Sequence, residues 1–303
     1  MARHQFDTAQ SINVIPAKAG IHLAVTIADA TKFAQQQIDP VDARILLQHT
    51  LQANRAHLAA HPEKQLIPEQ QAQFYALIAR RKSGEPVAYI VGEREFFGLS
   101  FKVTPAVLIP RPETELLVEQ ALMRIPEHRS ARVLDLGTGS GAIAIAIATH
   151  RPNVHITAVD ASEAALTIAS QNAQRLLGHR TAAVQFIQSD WFSNVPNQPY
   201  DLIVSNPPYV AECDPHLVQG DLRFEPQQAL AAGPHGLSAL AHIARNAASR
   251  LAPGGWLMLE HGYDQGNACN ELMAAAGFAQ VATHQDLASI DRVTVGQYPD
   301  ISV

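Results

Sequence analysis

The sequence predicts an α/β fold: a mostly parallel sheet flanked by helices, preceded by a small helical domain. Three observations carry that prediction. From Arg132 onward, short runs rich in β-branched residues alternate with helix-period segments, the pattern of βαβ units. From Ala24 to Lys82 the apolar period is helical instead. Between the two, residues 86–110 change to strand-like alternation around Gly98, as expected of a hairpin that links domains.

In the helical part, Asp39-Pro40 supplies an N-cap and a proline at the first helical position, ahead of Val41, Ala43, Ile45, Leu46 and Leu47. Pro68 opens a second helix with Phe74, Leu77 and Ile78 on one face; it ends in Arg80-Arg81-Lys82 before Gly84. Cations there favour a helix C-terminus, so capping is the simplest reading of the basic run and partner contact the second. Pro112 starts the helix PETELLVEQALMRI. The alternation that follows reads RVLDLG as strand and SGAIAIAIATH as helix, then VHITAVD and SEAALTIASQNAQRLL as the next pair. AVQFIQSD and YDLIVSN are strands, LSALAHIARNAASRL a helix, GWLMLEHG a strand and GNACNELMAAAG a helix. FAQVATHQ and DRVTVGQY close the sheet. In such a sheet ligands collect outside the carboxyl ends of the strands, at the switch point of strand order. The Gly loop after the first strand, Asp160, Asp190 and Asn206 each follow a strand and so share that rim.

Composition narrows the function classes. The 303 residues carry a net charge of −6, where a duplex-DNA or polyanion binder would show a basic excess. Cys213 and Cys269 lie far apart without metal-ligand spacing and read as free thiols in a reducing cytosol. No apolar run reaches the ~18 residues of a membrane span, and the start lacks a signal peptide's apolar region. Residues 1–23 show neither period and include Pro16 and Gly20, so a loose extension is expected there.

Asp135-Leu-Gly137-Thr138-Gly139-Ser140-Gly141 sits at a strand-to-helix turn, where glycines let backbone approach a ligand. The spacing is G-x-G-x-G, not the dinucleotide G-x-G-x-x-G, and no lysine follows to make a P-loop. Asp160 ends the next strand, where a carboxylate can accept both hydroxyls of a ribose; the competing reading, a helix N-cap, is better filled by Ser162. Loop and acid together point to a nucleoside cofactor. Asp190-Trp191 ends the third strand, where an acid and an aromatic can bind and flank an adenine; packing on the core is the alternative for Trp191.

The strand Ile203-Val-Ser ends in Asn206-Pro207-Pro208-Tyr209. Prolines stop the ladder and set a rigid corner rich in carbonyls. Gly loop, acids and corner resemble the class I S-adenosylmethionine-dependent methyltransferases, and Asn-Pro-Pro-Tyr resembles the signature of those that methylate a nitrogen conjugated to a π system. Such a nitrogen has a delocalised lone pair and attacks a methyl sulfonium poorly. Two acceptors on its N–H bonds, the Asn206 side-chain oxygen and the Pro207 carbonyl, would enrich it and hold it in line. Tyr209 offers a flat face. The motif alone leaves glutamine amide, adenine N6 and guanine N2 open as acceptors, and it needs no metal.

VLIPRPETELLVEQAL from Val107 to Leu122, followed by LDLGTGSGAIAIA, SDWF, SNPPYV, DPHLVQGDLRFEPQQAL and LEHG in order, closely resembles the bacterial release-factor glutamine N5-methyltransferases of the PrmC or HemK type. The resemblance runs from about Ala24 to Tyr298. It implies a Rossmann-like sheet with its last strand antiparallel, methylation of the glutamine in the Gly-Gly-Gln motif of peptide chain release factors, S-adenosylmethionine as donor and S-adenosylhomocysteine as product. It also implies a cytoplasmic enzyme that needs neither metal, membrane nor nucleic acid. In the related enzymes that methylate a large-subunit ribosomal protein, the stretch matching Arg111-Pro-Glu-Thr-Glu115 resembles R-S-P-I, so RPETE favours release factors. An adenine-N6 DNA methyltransferase is the other rival, and would need a basic groove for a flipped base.

Carried over by position, the resemblance places cofactor contacts at Gly137, Thr138, Gly139, Ser140, Gly141, Asp160, Trp191 and Asn206. Substrate contacts fall at Asn206, Pro207, Pro208 and Tyr209, with Asn206, Pro207 and Tyr209 as the catalytic set. Arg111 to Glu115 are expected near the cofactor, and Glu225 and Pro226 as braces of the corner. The expected organisation is a loose extension over 1–23, a helical docking domain over 24–85, a hairpin linker over 86–110 and the methyltransferase domain over 111–303.

Overall fold

The computed structural model describes residues 25–300, so the expected extension over residues 1–23 lies outside the described residues. The chain divides into two compact units, with the boundary between Ala76 and Leu77.

The first unit holds α1 (Ile27–Gln35), α2 (Pro40–Leu51), α3 (Arg55–Ala60) and the start of α4 (Pro68–Lys82). Local chemistry sets each start. Thr26 and Asp29 form a reciprocal capping box on α1. Asp39 caps α2, taking the Val41 N–H at 2.7 Å ahead of the Pro40 first turn. Asn54 caps α3 through the His57 N–H at 2.9 Å. Ala30, Ala34, Ala43, Leu46, Leu47 and Phe74 are all but inaccessible to solvent. In the basic run, Arg80 forks onto Glu85, and Arg81 bonds the Glu85 carbonyl and Asp221.

The second unit opens with a departure from the hairpin expected over residues 86–110. Its first part is a helical turn, α5 (Val87–Val91), and only then a two-stranded hairpin, β1 (Glu93–Phe96) and β2 (Leu99–Lys102). Val87, Ile90 and Val91 read as strand because they are β-branched. Pro86 nonetheless starts the turn, Gly92 ends it at φ +81°, and the Tyr89 hydroxyl anchors it to the Val107 carbonyl at 2.6 Å.

Then follow α6 (Glu115–Arg124), β3 (Ala131–Leu136), α7 (Ala142–His150), β4 (Val154–Asp160), α8 (Glu163–Leu177), β5 (Val184–Gln188) and β6 (Tyr200–Ser205). α9 (Ser238–Ala247), β7 (Leu251–Glu260), α10 (Gly266–Ala275), β8 (Ala279–Gln285) and β9 (Asp291–Gln297) complete the unit. The sheet has seven strands in the order β5-β4-β3-β6-β7-β9-β8; β9 runs antiparallel to both neighbours and the first five strands are mutually parallel. The α/β fold with an antiparallel last strand is therefore as the sequence implied.

Alternation along the strands feeds two cores. Val133, Leu202 and Val204 face α6, α7 and α8, whereas Leu134, Leu136 and Ile203 face α9 and α10. Helix α7, AIAIAIATH, is buried from Ala142 through Ala148, so it is apolar all round. The order reverses at β3: the chain builds outward through β4 and β5, then returns to place β6 on the other flank. The loops after β3 and β6 thus lie side by side at the switch point.

Candidate active site

A cavity of about 260 Å³ opens at that switch point. Its wall includes Gly137, Gly139, Asp160, Asp190, Trp191, Asn206 and Pro208, seven residues named from the sequence. The remaining wall comes from Ala106–Leu108, from Ala161, Ser162 and Ala165 at the start of α8, from Ser189, and from Pro226, Gln228 and Ala229; Ser162 and Pro226 were also named from the sequence, in other roles.

The Gly loop is folded by short backbone bonds. Gly137 N and Thr138 N both donate to the Val159 carbonyl at 2.9 Å, which joins the end of β3 to the end of β4. Gly139 has φ +56°, and a Cβ there would meet no heavy atom within 4 Å. A left-handed residue facing open space is what close approach of a ligand to backbone requires. Thr138, Ser140 and Gly141 do other work. The Thr138 hydroxyl donates to buried Asp135 at 2.7 Å. The Ser140 carbonyl takes the Asn172 side-chain N–H at 2.9 Å, and Asn172 also bonds the Lys102 backbone in both directions. Gly141 begins α7, where an added Cβ would come 2.9 Å from Ile145.

Asp160 is engaged on both oxygens: Gly139 N donates to Oδ2 and Ser162 N to Oδ1, each at 2.9 Å. Ser162 itself caps α8 through the Ala165 N–H, as its position suggested. Each carboxylate oxygen has a second lone pair, so Asp160 can order the loop and still accept from a ligand diol. Trp191 holds φ +47°, fixed by the Ser189 hydroxyl on its carbonyl at 2.7 Å. A non-glycine residue kept in that region marks strain that its surroundings impose, and here it sets the indole in the wall beside Gly137.

At the corner, the Ser205 hydroxyl ties β6 to the Leu136 carbonyl at 2.7 Å. Asn206 Nδ2 donates to Thr114 Oγ1 at 3.0 Å, leaving Oδ1 as the accepting end of the amide. Pro207 is buried, Pro208 lines the cavity, and the Tyr209 hydroxyl donates to Glu260 Oε1 at 3.4 Å. Burial and the Glu260 charge push the Tyr209 phenol up, so it stays a donor. Its backbone is clamped as well: Gln265 Nε2 donates to the Tyr209 carbonyl at 3.0 Å. Gly236 packs so close that a Cβ would stand 2.1 Å from that oxygen.

Two acids stand behind the wall, Glu225, which the sequence named as a brace, and Glu260, which it did not. Glu225 accepts the Ile109 N–H at 3.0 Å and pairs with the Arg111 guanidinium, so it braces the segment that leads into Ala106–Leu108. Glu260 lies at the end of β7 with a carboxyl that burial pushes up to about 7. Of Arg111 to Glu115, none lines the cavity; Thr114 reaches Asn206, and Glu115 accepts the Phe97 N–H at 2.8 Å. The phrase FEPQQAL held the signal for Glu225, whereas nothing local marks Thr114 or Glu260 as neighbours of the corner.

Among the described residues no group of three or more His, Cys, Asp or Glu side chains could hold a metal ion, and no helix is long and apolar enough to cross a membrane. Cys213 and Cys269 are both free.

Comparison with known proteins agrees with this geometry. The family model described as Methyltransferase small domain matches residues 112–224, and PrmC N-terminal domain matches residues 27–92. The release factor glutamine methyltransferase of Burkholderia pseudomallei (strain K96243) is 51% identical over 265 residues, covering 86% of this chain and 93% of the relative. The protein of the same name in Escherichia coli (strain K12) is 48% identical over 257 residues, covering 85% of this chain and 91% of the relative. In fold, the chain is similar to a methyltransferase from Pyrococcus furiosus, with a TM-score of 0.51 at 18% identity over 73% of this chain and 97% of that one.

Proposed function

The chain belongs to the release factor glutamine methyltransferase family, and from that premise we propose that it methylates the side-chain amide nitrogen of a glutamine in peptide chain release factors. The glutamine is that of the Gly-Gly-Gln motif, and the donor is S-adenosylmethionine. The observation that carries the reading is the rigid Asn206–Tyr209 corner standing at the switch point beside the Gly-loop cavity.

The residues fit such a donor. Open space before Gly139, the Asp160 carboxylate, and Asp190 with the Trp191 ring offer backbone, diol and ring contacts on one wall. When bound, S-adenosylmethionine supplies a methyl carbon on a cationic sulfur. The protein's part is to present the acceptor. Asn206 Oδ1 and the Pro207 carbonyl accept the two N–H bonds of the carboxamide, which raises electron density on its nitrogen. The same two contacts aim the nitrogen along the methyl–sulfur axis, and orientation of this kind is a large term in catalysis. Proline rigidity keeps the carbonyl aimed, and Tyr209, held at both its hydroxyl and its carbonyl, provides the flat face.

We extend the proposal to organisation and partners. The helical part expected over residues 24–85 is the release-factor docking domain, residues 86–110 link it, residues 111–303 carry the chemistry, and the reaction runs in the cytosol on protein, not nucleic acid. The test is incubation with labelled S-adenosylmethionine and, separately, a release factor, the large-subunit ribosomal protein substrate and DNA. Label on the Gly-Gly-Gln glutamine of the release factor is expected. Label only on the ribosomal protein or the DNA would replace this reading with the corresponding rival.

A further inference from the structure

On the inner face of α8 one polar side chain stands among apolar ones. Asn172 is 0% exposed, with Ala165, Ile168, Ala169 and Ala173 as its buried neighbours along the helix. Asparagine is a poor helix former, and its amide is costly to bury unless its polar ends are bonded. Here both ends are. Oδ1 accepts the Lys102 N–H at 2.8 Å, while Nδ2 donates to the Lys102 carbonyl at 3.0 Å and to the Ser140 carbonyl at 2.9 Å. A backbone N–H only donates, so Lys102 fixes which end of the carboxamide faces it. The two hydrogens of Nδ2 are then committed to two carbonyls, 70 and 32 residues away along the chain.

Those carbonyls belong to different parts of the unit. Lys102 ends β2, a strand of the two-stranded hairpin, whose outer edge needs backbone partners. Asn172 bonds that edge in both directions, as a neighbouring strand would. Ser140 lies in the Gly loop, one residue past Gly139, where the backbone is open to the cavity. A second contact brings α8 onto the same loop: a Cβ added at Gly141 would stand 3.3 Å from the Ala169 Cβ. Gln171 and Arg175 also hold β2, at Lys102 Nζ and at the Ser100 carbonyl. Asn172 holds both strand and loop.

We propose that Asn172 is a positioning residue for cofactor binding, whose carboxamide ties the Ser140 peptide to β2 and so fixes the Gly loop in its binding shape. The inference rests on the reading above, in which S-adenosylmethionine occupies the Gly-loop cavity. Gly137, Gly139 and Gly141 all have positive φ, and glycine gives up more backbone freedom on ordering than any other residue. Val159 and Asp160 hold the first half of the loop, from Gly137 to Gly139. Asn172 holds the second half. A loop ordered before its ligand arrives spares that cost at binding. The coupling is reciprocal: whatever the Asn172 bonds add to cofactor affinity, bound cofactor adds to the stability of the Lys102 contact.

The experiment uses the full chain and titration calorimetry with S-adenosylmethionine on the native protein, Asn172→Ala, Asn172→Asp, Arg175→Ala and Asp160→Ala, followed by turnover on a release factor. Asn172→Ala is expected to weaken cofactor affinity by about tenfold, within the usual range of coupling between sites, while turnover at saturating cofactor and the KM for release factor stay within about twofold. Arg175→Ala loosens β2 but leaves the Ser140 bond, and should bind cofactor as the native chain does. Asn172→Asp keeps the acceptor for Lys102 but turns lone pairs toward both carbonyls once ionised. Its affinity relative to native should therefore fall further between about pH 6 and about pH 8. In the native chain, hydrogen exchange at the Lys102 N–H, which stands outside the cavity wall, should slow by about tenfold when cofactor binds. Native affinity in a folded Asn172→Ala overturns the proposal, as does an equal loss in Arg175→Ala. An exchange rate at Lys102 that cofactor leaves unchanged overturns it too, whether or not any variant folds. A native chain that does not bind S-adenosylmethionine, or an Asp160→Ala protein that binds it as tightly as native, overturns the reading of the cavity instead.

Discussion

Replacing Glu225 with alanine removes one carboxylate and strands two partners. The side chain is 0% exposed, whereas the Arg111 side chain paired with it is 29% exposed. The Ile109 N–H, which Glu225 accepts at 3.0 Å, would lose its acceptor inside the protein. An unsatisfied buried donor costs roughly 1–3 kcal/mol, and breaking a fully buried ion pair roughly 3–5 kcal/mol. Water can reach Arg111 once the pair is broken, so its share falls below the fully buried range, to about 1 kcal/mol; with about 2 kcal/mol for the stranded N–H, the combined loss is about 3 kcal/mol. For a unit of this size 1 kcal/mol moves the midpoint by about 2–4 °C, so thermal unfolding should fall by about 6–12 °C. A second effect follows from position. Ile109 leads out of Ala106–Leu108, which line the cavity, so S-adenosylmethionine affinity should fall by on the order of tenfold, equivalent to about 1.4 kcal/mol. Glu225→Gln keeps an acceptor for Ile109 and loses only the charge, and should lie about midway. Circular-dichroism melts and titration calorimetry read the two effects. A Glu225→Ala protein with native midpoint and native affinity would refute the bracing role.

Three further outcomes are expected. Asn206→Ala should cut turnover by at least ~10²-fold with cofactor affinity largely kept, as removal of a transition-state hydrogen bond does; steady-state and binding measurements together check it. Asp160→Ala should weaken S-adenosylmethionine binding and loosen the Gly loop, since its carboxylate holds Gly139 N and Ser162 N as well; an unchanged calorimetric affinity rules out the ligand role. Burial pushes both Asp135 and Glu260 up to about 7, so each binds its proton more tightly folded than unfolded. Stability from these groups is therefore full below about pH 4, falls between about pH 4 and 7, and is level above. Glu260→Gln should gain up to about 3 kcal/mol relative to the native chain on going from pH 5 to pH 8; melts showing no such gain would mean the carboxyl is less buried than it stands here.

What the sequence made legible was whatever is encoded locally. Strand-helix alternation gave the sheet, Asp39-Pro40 and Ser162 gave real caps, and Gly137, Gly139, Asp160, Trp191 and Asn206 all reached one cavity wall because each follows a parallel strand. Two boundaries moved for local reasons. Val87–Val91 has strand-like residues but a proline start and a left-handed glycine stop. Strand β7 begins at Leu251, ahead of the expected Gly255, because Pro253-Gly254 is absorbed where its pairing with β6 shifts register. Thr138, Ser140 and Gly141 share the motif yet turn inward, which a spacing rule cannot distinguish. The pairings Asn206–Thr114, Arg111–Glu225 and Tyr209–Glu260 span 92, 114 and 51 residues. Only the fold brings such partners together, so the sequence could name Glu225 and the RPETE stretch as supports but not which residues they would pair with.

The most direct measurement is a crystal structure of the protein with S-adenosylhomocysteine and a peptide containing Gly-Gly-Gln. The glutamine nitrogen should lie at hydrogen-bond distance, about 2.9 Å, from both Asn206 Oδ1 and the Pro207 carbonyl, on the line that extends the missing methyl–sulfur bond. A glutamine bound elsewhere, with Asn206 to Tyr209 touching only their own chain, would contradict the chemistry assigned to the corner.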